Sequence, residues 1–321
     1  MMSADNPRPG RNAATILMCL VGIAMASGAS GGSQGGMEDA TAGTAEASSD
    51  SALSVDPTTP AAPAVHTLGG LLVAPTRLVF EGRQRTGQLT LVNTGAQTAT
   101  YRISLIRLRM TETGAFRQVQ EPDSAELFAD TLVRFSPRRV ELPPGVPQTV
   151  RLQLRLPADL PVGEYRSHLL FRAVPVSAPE DSVRSEPVTD LQLTLRAVYG
   201  VSIPIIVRHG ALVAGVTLSD PRVESAPDED PPARLAVTLN RSGDGSVYGN
   251  LTAVLVRDGQ PDLVVGVAKG LAVYTPNPRR TCLLSLRLPP SLDPQARLRV
   301  LFESASGVTK IPTAEASVAL R

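Results

Sequence analysis

Residues 191–208 read LQLTLRAVYGVSIPIIVR, and the rest of the chain is interpreted from this stretch outward. Every second side chain in it is apolar: Leu191, Leu193, Leu195, Ala197, Tyr199, Val201, Ile203 and Ile205. Because successive side chains of a strand point to opposite faces, the alternation predicts one long strand with an unbroken apolar face. Strands usually run about five or six residues. This one therefore either crosses a whole domain as a core strand or offers its far end to another molecule, and periodicity alone leaves both alternatives open.

The composition indicates many short elements separated by turns. Aromatic residues make up 3% of the 321 residues, there is no Trp, and Pro (28) and Gly (26) are frequent. Such a composition is typical of strands and turns rather than of long helices. Acidic and basic residues nearly cancel at a formal net charge of +1, so we expect no nucleic-acid partner.

The first 26 residues have the pattern of an export signal. Arg8 and Arg11 precede the apolar run Ala13 to Ala26, which is too short to span a bilayer but fits a signal sequence. Ala24-Met25-Ala26 supplies a cleavage site, so residues 1–26 are predicted to be a signal peptide. Its removal leaves Cys282 as the single cysteine, which excludes an internal disulfide. No other apolar run reaches membrane-spanning length, so we expect no membrane insertion after signal removal.

The rest of the chain divides into three further parts. Residues 27–64 consist mostly of Gly, Ser, Ala, Thr and Pro, and too few large apolar side chains are present to offset the entropy of ordering, so they are predicted to be a disordered low-complexity segment. Short alternating runs, beginning with Leu71 to Phe80, then predict an immunoglobulin-like β-sandwich over residues 65–209. A second series of such runs predicts another β-sandwich over residues 210–321. The chain is therefore predicted to be all-β, with two immunoglobulin-like domains.

The sequence offers little that could perform catalysis. His66, His168 and His209 each stand without Cys, Asp or Glu at metal-ligand spacing. Ser167 and His168 are adjacent, so they point to opposite faces of their strand and cannot act together. We expect no catalytic residue, no metal and no cofactor, and hence no enzyme.

Three segments of the first domain carry a family resemblance. Val73-Ala74-Pro75-Thr76-Arg77-Leu78-Val79-Phe80 is followed by Leu89-Thr90-Leu91-Val92-Asn93, and Phe135-Ser136-Pro137 by Leu142-Pro143-Pro144-Gly145 and Gln148-Thr149-Val150-Arg151-Leu152. Leu160-Pro161 runs through Glu164 to Val174-Pro175, and Ile203 to Arg208 lies at the end. Together these segments resemble the periplasmic pilus-assembly chaperones, a family of two immunoglobulin-like domains. The likeness covers about Leu71 to Arg208.

The resemblance implies strand donation as the activity. In that family the last strand of the first domain fills the groove of a subunit that lacks its own final strand. By position, the donor residues here are Leu193, Leu195, Ala197 and Tyr199. The implied partners are pilus or fimbrial subunits and an outer-membrane usher. Whether free molecules self-associate through the apolar strand stays open.

The resemblance also assigns roles to single residues. Arg77 matches the family's first-strand arginine, which anchors the subunit's C-terminal carboxylate through a charge-assisted hydrogen bond. The family's second anchor is a lysine, and Pro204 stands in its place, which removes half of the clamp. Glu164 and Arg208 match a pair that stabilises the interface between the two domains.

The sequence therefore supports two hypotheses about function. In the first, the protein is a periplasmic chaperone for pilus or fimbrial subunits that acts by donating residues 191–208. In the second, it is an exported immunoglobulin-like structural or adhesion module of the cell envelope that donates no strand. They differ in what covers Leu193, Leu195 and Tyr199: a client in the first and the protein's own sandwich in the second.

Overall fold

A computed structural model of the chain describes residues 66–68, 70–175, 199–292, 295–305 and 311–320. Within these ranges the regular secondary structure is entirely β. The first twelve strands are β1 (His66–Leu68), β2 (Leu71–Ala74), β3 (Leu78–Phe80), β4 (Thr86–Asn93), β5 (Ala99–Ile106), β6 (Leu108–Met110), β7 (Phe116–Gln118), β8 (Val133–Ser136), β9 (Arg139–Leu142), β10 (Pro147–Leu154), β11 (Gly163–Ala173) and β12 (Gly200–His209). They are followed by β13 (Ala214–Ser225), β14 (Ala233–Gly243), β15 (Val247–Val256), β16 (Leu263–Val273), β17 (Arg279–Leu286), β18 (Arg297–Ser304) and β19 (Ala314–Ala319).

Strands β1 to β12 build the first sandwich. One sheet has the order β1-β2-β4-β10-β8 and the other has the order β3-β12-β11-β5-β9, while β6 and β7 form a separate hairpin. The core between the sheets is filled by alternate residues of each strand, including Leu89 and Leu91 of β4, Phe171 of β11, and Ile203 and Ile205 of β12. Each large apolar side chain buried in this way contributes about 1.5–3 kcal/mol.

Strands β13 to β19 build the second sandwich. A three-stranded sheet, β13-β14-β17, faces a four-stranded sheet, β16-β15-β18-β19. Leu235, Val237 and Leu239 alternate along β14, and Phe302 of β18 is fully buried among them. The prediction of an all-β chain with two immunoglobulin-like sandwiches is confirmed by these sheets.

The prediction of a single strand from Leu71 to Phe80 was wrong, because this stretch is divided between the two sheets. β2 pairs with β4 in one sheet, whereas β3 pairs with β12 in the other. Pro75 lies between β2 and β3, where the missing backbone N–H ends the ladder. Pro137 separates β8 from β9 in the same way, and those strands also lie in different sheets.

The long strand that was expected over residues 191–208 is described in its second half. β12 begins at Gly200 and ends at His209, and residues 191–198 lie outside the described residues. β12 pairs with β11 over its whole length without a register shift. The predicted signal peptide and low-complexity segment, residues 1–64, also lie outside the described residues.

Replacing Phe171 by Ala tests the first core. The Phe171 side chain has no exposed surface, so Phe171→Ala leaves a cavity and should lower the free energy of unfolding by about 3–5 kcal/mol. Urea unfolding measured by circular dichroism checks this value. The exposed Arg151 of β10 provides the control, because Arg151→Ala should change stability by less than about 0.5 kcal/mol. Equal losses in both variants would contradict this account of the core.

Candidate functional site

The candidate site begins at one edge of β12. On one side, β12 is paired with β11 from Gly200 to His209. On the other side, β3 pairs in parallel with Ile205, Ile206 and Val207 alone. Among the described residues, no strand covers Gly200 to Pro204 on that side, so this half of β12 is an open sheet edge. An open edge presents backbone N–H and C=O groups that another strand can pair with.

The alternation of hydrogen-bonded and non-hydrogen-bonded pairs between β11 and β12 explains how the strand accommodates Pro204. The Ala173 N–H donates to the Tyr199 carbonyl oxygen at 3.0 Å, so hydrogen-bonded pairs recur at every second residue from this point. Pro204, opposite His168, falls in a pair without hydrogen bonds. Its nitrogen therefore faces the open edge and no bond to β11 is lost. For the same reason, the N–H groups of Gly200 and Ser202 face the open edge.

The four predicted donor residues are placed unequally. Leu193, Leu195 and Ala197 lie outside the described residues. Tyr199 is described, and 60% of its surface is exposed. Two residues further on, the side chain of Val201 packs on the first core, and Ile203 is buried in it. The apolar face predicted for this stretch therefore enters the sandwich at Val201 and leaves Tyr199 outside.

Arg77 lies beside this edge, between the two sandwiches. It directly precedes β3, whose register sets Leu78 opposite Ile205, the residue after Pro204. The Arg77 guanidinium stacks on the ring of Tyr248 in β15, with 4.4 Å from Cζ to the ring centroid. All three of its side-chain nitrogens are buried without a hydrogen-bond partner among the described residues. A buried cation held only by a ring face retains its capacity to pair with an anion.

A cleft of about 460 Å³ opens between the two sandwiches. Its walls include Glu81 and Arg208 from the first sandwich and Val213, Ser246 and Tyr248 from the second. Burial raises the pKa of the Tyr248 phenol, so this side chain is neutral at physiological pH. Tyr248 thus lines the cleft and also carries the stacked guanidinium of Arg77.

Glu164 and Arg208, the pair to which the family resemblance gave a role at the domain interface, lie in contact with each other and with the second sandwich. The Arg208 Nε donates to Glu164 Oε2 at 2.9 Å, and the Ser246 N–H donates to the same oxygen at 3.1 Å. Arg208 also donates to the Ser246 carbonyl oxygen at 3.1 Å and to Glu81. The Glu164 side chain has no exposed surface and that of Arg208 is 13% exposed. Through these bonds, the backbone of Ser246 is held on both its N–H and its C=O.

The hairpin β6–β7 makes a second contact between the sandwiches. The Met110 carbonyl oxygen accepts a bond from Asn277 Nδ2 at 2.7 Å, and the Glu112 carbonyl oxygen accepts one from the Thr281 N–H at 2.7 Å. Met110 also packs with Ile206 and Tyr274 in a small buried cluster. Nothing in the sequence of the hairpin indicated this role, because the contacts join residues that are far apart in the chain.

Two basic side chains of β11 are buried beneath this hairpin. The His168 ring packs edge-on against Phe116, with 4.9 Å between centroids, and its Nδ1 has no hydrogen-bond partner among the described residues. The Arg166 guanidinium stacks on Tyr274, with 4.4 Å from Cζ to the centroid. Burial, helped by the neighbouring charge of Arg166, holds the pKa of His168 well below its usual value of 6.5. His168 is therefore a neutral core residue in the folded protein.

Metal-binding and thiol groups give no further site among the described residues. They contain no group of three His, Cys, Asp or Glu side chains that could hold a metal ion. No helix in the described part of the chain is long and apolar enough to cross a bilayer. Cys282 is buried, and burial raises the pKa of its thiol.

Comparison with known proteins gives distant likenesses only. No family model matches the chain, and no curated protein matches it. Among solved structures, the CupB2 chaperone of Pseudomonas aeruginosa is 16% identical over 78% of this chain and 100% of its own, with a TM-score of 0.38. The CsuC–CsuE chaperone–adhesin complex of Acinetobacter baumannii matches at 14% identity over 76% of this chain and 97% of that chain, with a TM-score of 0.39. The fold is therefore defined by the sheets themselves and not by these likenesses.

Removing the charge of Glu164 tests the contact around Ser246. Glu164→Gln leaves the buried guanidinium of Arg208 without this carboxylate, so the free energy of unfolding should fall by about 3 kcal/mol. Chemical unfolding followed by tyrosine fluorescence measures the loss. The exposed pair Arg299–Asp262 is the matched control, and Asp262→Asn should cost less than about 1 kcal/mol. A smaller loss for Glu164→Gln than for Asp262→Asn would show that the buried pair does not stabilise the fold.

The low pKa of His168 predicts a loss of stability in acid. Above about pH 6.5 this imidazole is neutral in both folded and unfolded chains, and its burial is fully tolerated. Below that pH the unfolded chain binds a proton that the folded chain does not, so stability falls by up to about 1.4 kcal/mol per pH unit. His168→Phe removes the titrating group and should flatten this slope between pH 6.5 and pH 5. Thermal unfolding at several pH values measures it, and an unchanged slope in the variant would assign the acid sensitivity to other groups.

Proposed function

We propose that this protein is an exported, non-enzymatic chaperone of the periplasm that binds partly folded pilus or fimbrial subunits by donating a strand. The client subunits are secreted sandwiches that lack a final strand, and an outer-membrane usher receives the complex. The observation that carries the proposal is the open edge of β12 between Gly200 and Pro204, which continues the apolar alternation of residues 191–198.

The open edge supports donation through the backbone. A subunit without its last strand exposes unpaired N–H and C=O groups, which invite aggregation. The outward groups of Gly200 and Ser202 are of the kind that pair with such an edge. Since Pro204 points its nitrogen to the same side, the pairing ends there, next to the residues already bonded to β3.

The apolar alternation supports donation through the side chains. Leu193, Leu195, Ala197 and Tyr199 share one face of the sequence pattern, and Tyr199 is 60% exposed. Each large side chain that enters the client's groove contributes about 1.5–3 kcal/mol before the costs of ordering and association. Leu193, Leu195 and Tyr199 together would contribute about 4.5–9 kcal/mol before those costs, so backbone pairing at the open edge has to add to them.

Arg77 is proposed as the anchor for a subunit's C-terminal carboxylate. Its guanidinium has no hydrogen-bond partner among the described residues, so a carboxylate would satisfy nitrogens that are already buried. The carboxylate would bind beside the ring of Tyr248, which lines the cleft and on which this guanidinium stacks. With Pro204 in place of a second cation, Arg77 would bear the whole of this interaction.

Glu164 and Arg208 are proposed to fix the two sandwiches for this task. Both hold the backbone of Ser246, which neighbours Tyr248 in the cleft wall. A client bound to the β12 edge and to Arg77 meets surfaces from both sandwiches, so their relative position has to be constant. Residues 65–209 and 210–321 would then act as one unit.

A capture experiment tests strand donation. The tagged full-length chain is isolated from the envelope fraction of its own source cells, and co-purified proteins are identified by mass spectrometry. A small pilin-like protein should accompany the wild type and be lost with the double variant Leu193→Glu, Leu195→Glu, because two carboxylates cannot enter an apolar groove. Circular dichroism verifies that the variant is folded.

The control carries the same charges on another apolar surface. Val264 and Val267 of β16 are exposed, so the double variant Val264→Glu, Val267→Glu should retain the co-purified protein. If capture is equal for the wild type and the Leu193→Glu, Leu195→Glu chain, strand donation is refuted. The envelope module without donation is then the better account of the protein.

A further inference from the structure

Three arginines lie directly opposite one another on adjacent strands of the first sandwich. Arg172 of β11 pairs with Arg102 of β5, and Arg102 pairs with Arg139 of β9. Directly opposed residues in antiparallel strands have their Cα atoms about 4.5–5.5 Å apart, and their side chains project from the same face. We call these three residues the arginine row. It lies on the outer face of the sheet that contains β12.

The arginine row is a repulsive arrangement in the folded protein. All three side chains are exposed, and none has a hydrogen bond or ion pair with another described residue. Like charges directly opposite each other in a sheet are destabilising. Glu141, two residues along β9 from Arg139, shares this face but is opposite Thr100 and makes no ion pair with a described residue. An anionic ligand would relieve the repulsion.

A pocket of about 300 Å³ adjoins the row. It is lined by two of the three arginines, two polar residues and two apolar residues: Arg102, Arg172, Ser104, Gln118, Ile106 and Leu170. Leu170 is only 3% exposed although it lies outside the core of the sandwich. Guanidinium groups beside small polar and apolar side chains suit a peptide in which carboxylates alternate with small side chains.

The chain itself contains such a peptide. Residues 27–65 include no Lys or Arg, and their acidic residues are Glu38, Asp39, Glu46, Asp50 and Asp56. Between these acids stand mainly Ala, Ser, Thr and Gly. We call residues 38–56 the acidic segment. Its charge is opposite to that of the arginine row, and its small side chains match the pocket.

The acidic segment is joined to the folded part closely enough to reach the row. It ends ten residues before His66, where β1 begins at one edge of the other sheet. An extended chain spans up to about 3.3–3.6 Å per residue, so Asp56 can lie about 30 Å from β1, and Asp50 about 50 Å. The two sheets of a sandwich are separated by about 10 Å. A linker of this length also gives an effective concentration in the millimolar range.

We propose that the acidic segment binds to the arginine row of the same molecule. Its carboxylates pair with Arg102, Arg139 and Arg172, and a small apolar side chain between them enters the pocket above Leu170. This site is separate from the open edge of β12 and does not depend on strand donation. It gives the first sandwich a second binding surface, one that is specific for acidic peptides.

The test uses the full-length chain and a fluorescent peptide of residues 37–57. In one variant the five acids are replaced by amides: Glu38→Gln, Asp39→Asn, Glu46→Gln, Asp50→Asn and Asp56→Asn. Fluorescence anisotropy should show that the peptide binds this variant at least about ten-fold more tightly than the wild type, whose own segment occupies the row. Adding Arg102→Gln, Arg139→Gln and Arg172→Gln should weaken that binding by about ten-fold or more. The single change Arg102→Gln, at the centre of the row, should weaken the binding of the peptide by a smaller factor. This variant replaces the triple variant if the triple variant folds poorly.

Arginines on the opposite sheet provide the matched control. Arg134, Arg151 and Arg155 are also exposed and lack an ion pair with a described residue. Changing all three to Gln in the five-amide chain removes the same charge and should leave the binding of the peptide unchanged. If both triple variants weaken the binding of the peptide equally, the binding results from general charge attraction and the proposal is overturned.

Three other outcomes would also overturn the proposal. If the peptide binds the wild type and the five-amide chain equally, the row is not occupied by the acidic segment. If binding instead requires amides at Glu180, Asp181, Glu186 and Asp190, residues of the segment between β11 and β12 occupy it. If vesicles of phosphatidylglycerol bind the five-amide chain through the row and the peptide does not displace them, the row recognises lipid headgroups.

Discussion

Strand β11 has to be covered on both faces, and much of the rest of the structure follows from this constraint. Its first nine residues, Gly163 to Phe171, are all buried. One face, with Leu169 and Phe171, lies in the core of the first sandwich. The other face carries Glu164, Arg166 and His168, for which a hydrophobic core would be a poor environment. The hairpin β6–β7 and the second sandwich cover this polar face and supply partners for part of it.

The charges on the polar face are compensated to different degrees. Glu164 has a guanidinium and a backbone N–H as partners, which is the usual requirement for a buried carboxylate. Arg166 and, on the neighbouring strand edge, Arg77 are stacked on the rings of Tyr274 and Tyr248. A ring face lowers the energy of a buried cation less than a carboxylate does. The contact between the sandwiches therefore has one firmly bonded point, at Ser246, and two points where a charge is only partly compensated.

The sequence predicted the fold to the extent that local patterns determine it. Alternation of apolar residues is a local signal, and it correctly indicated two series of short strands and a strand over the described half of residues 191–208. The division of the stretch from Leu71 to Phe80 between two sheets was missed, although Pro75 marks the point of division. A proline shows that a ladder stops, but the sheet in which the next strand pairs depends on distant residues.

The candidate site was less predictable than the strands, because it too depends on contacts between residues that are distant in the sequence. Arg77, Glu164 and Arg208 came from a family resemblance, whereas Ser246 and Tyr248 lie in an ordinary strand pattern that gave no signal. Their positions against the first sandwich result from contacts across more than 80 residues of chain. The orientation of Pro204 also escaped the sequence, because it depends on which residues of β11 and β12 form hydrogen-bonded pairs.

That orientation has a consequence for the solubility of the free protein. Within β12, the outward N–H donors on the open edge are those of Gly200 and Ser202, and the nitrogen of Pro204 interrupts the series before the residues paired with β3 begin. A strand that approached this edge could therefore not extend its ladder through Pro204 toward His209. Exposed edges of long, regular strands are the usual starting points for indefinite stacking. Proline at this position keeps the described edge short, so that it can accept a partner without becoming a template for a fibre.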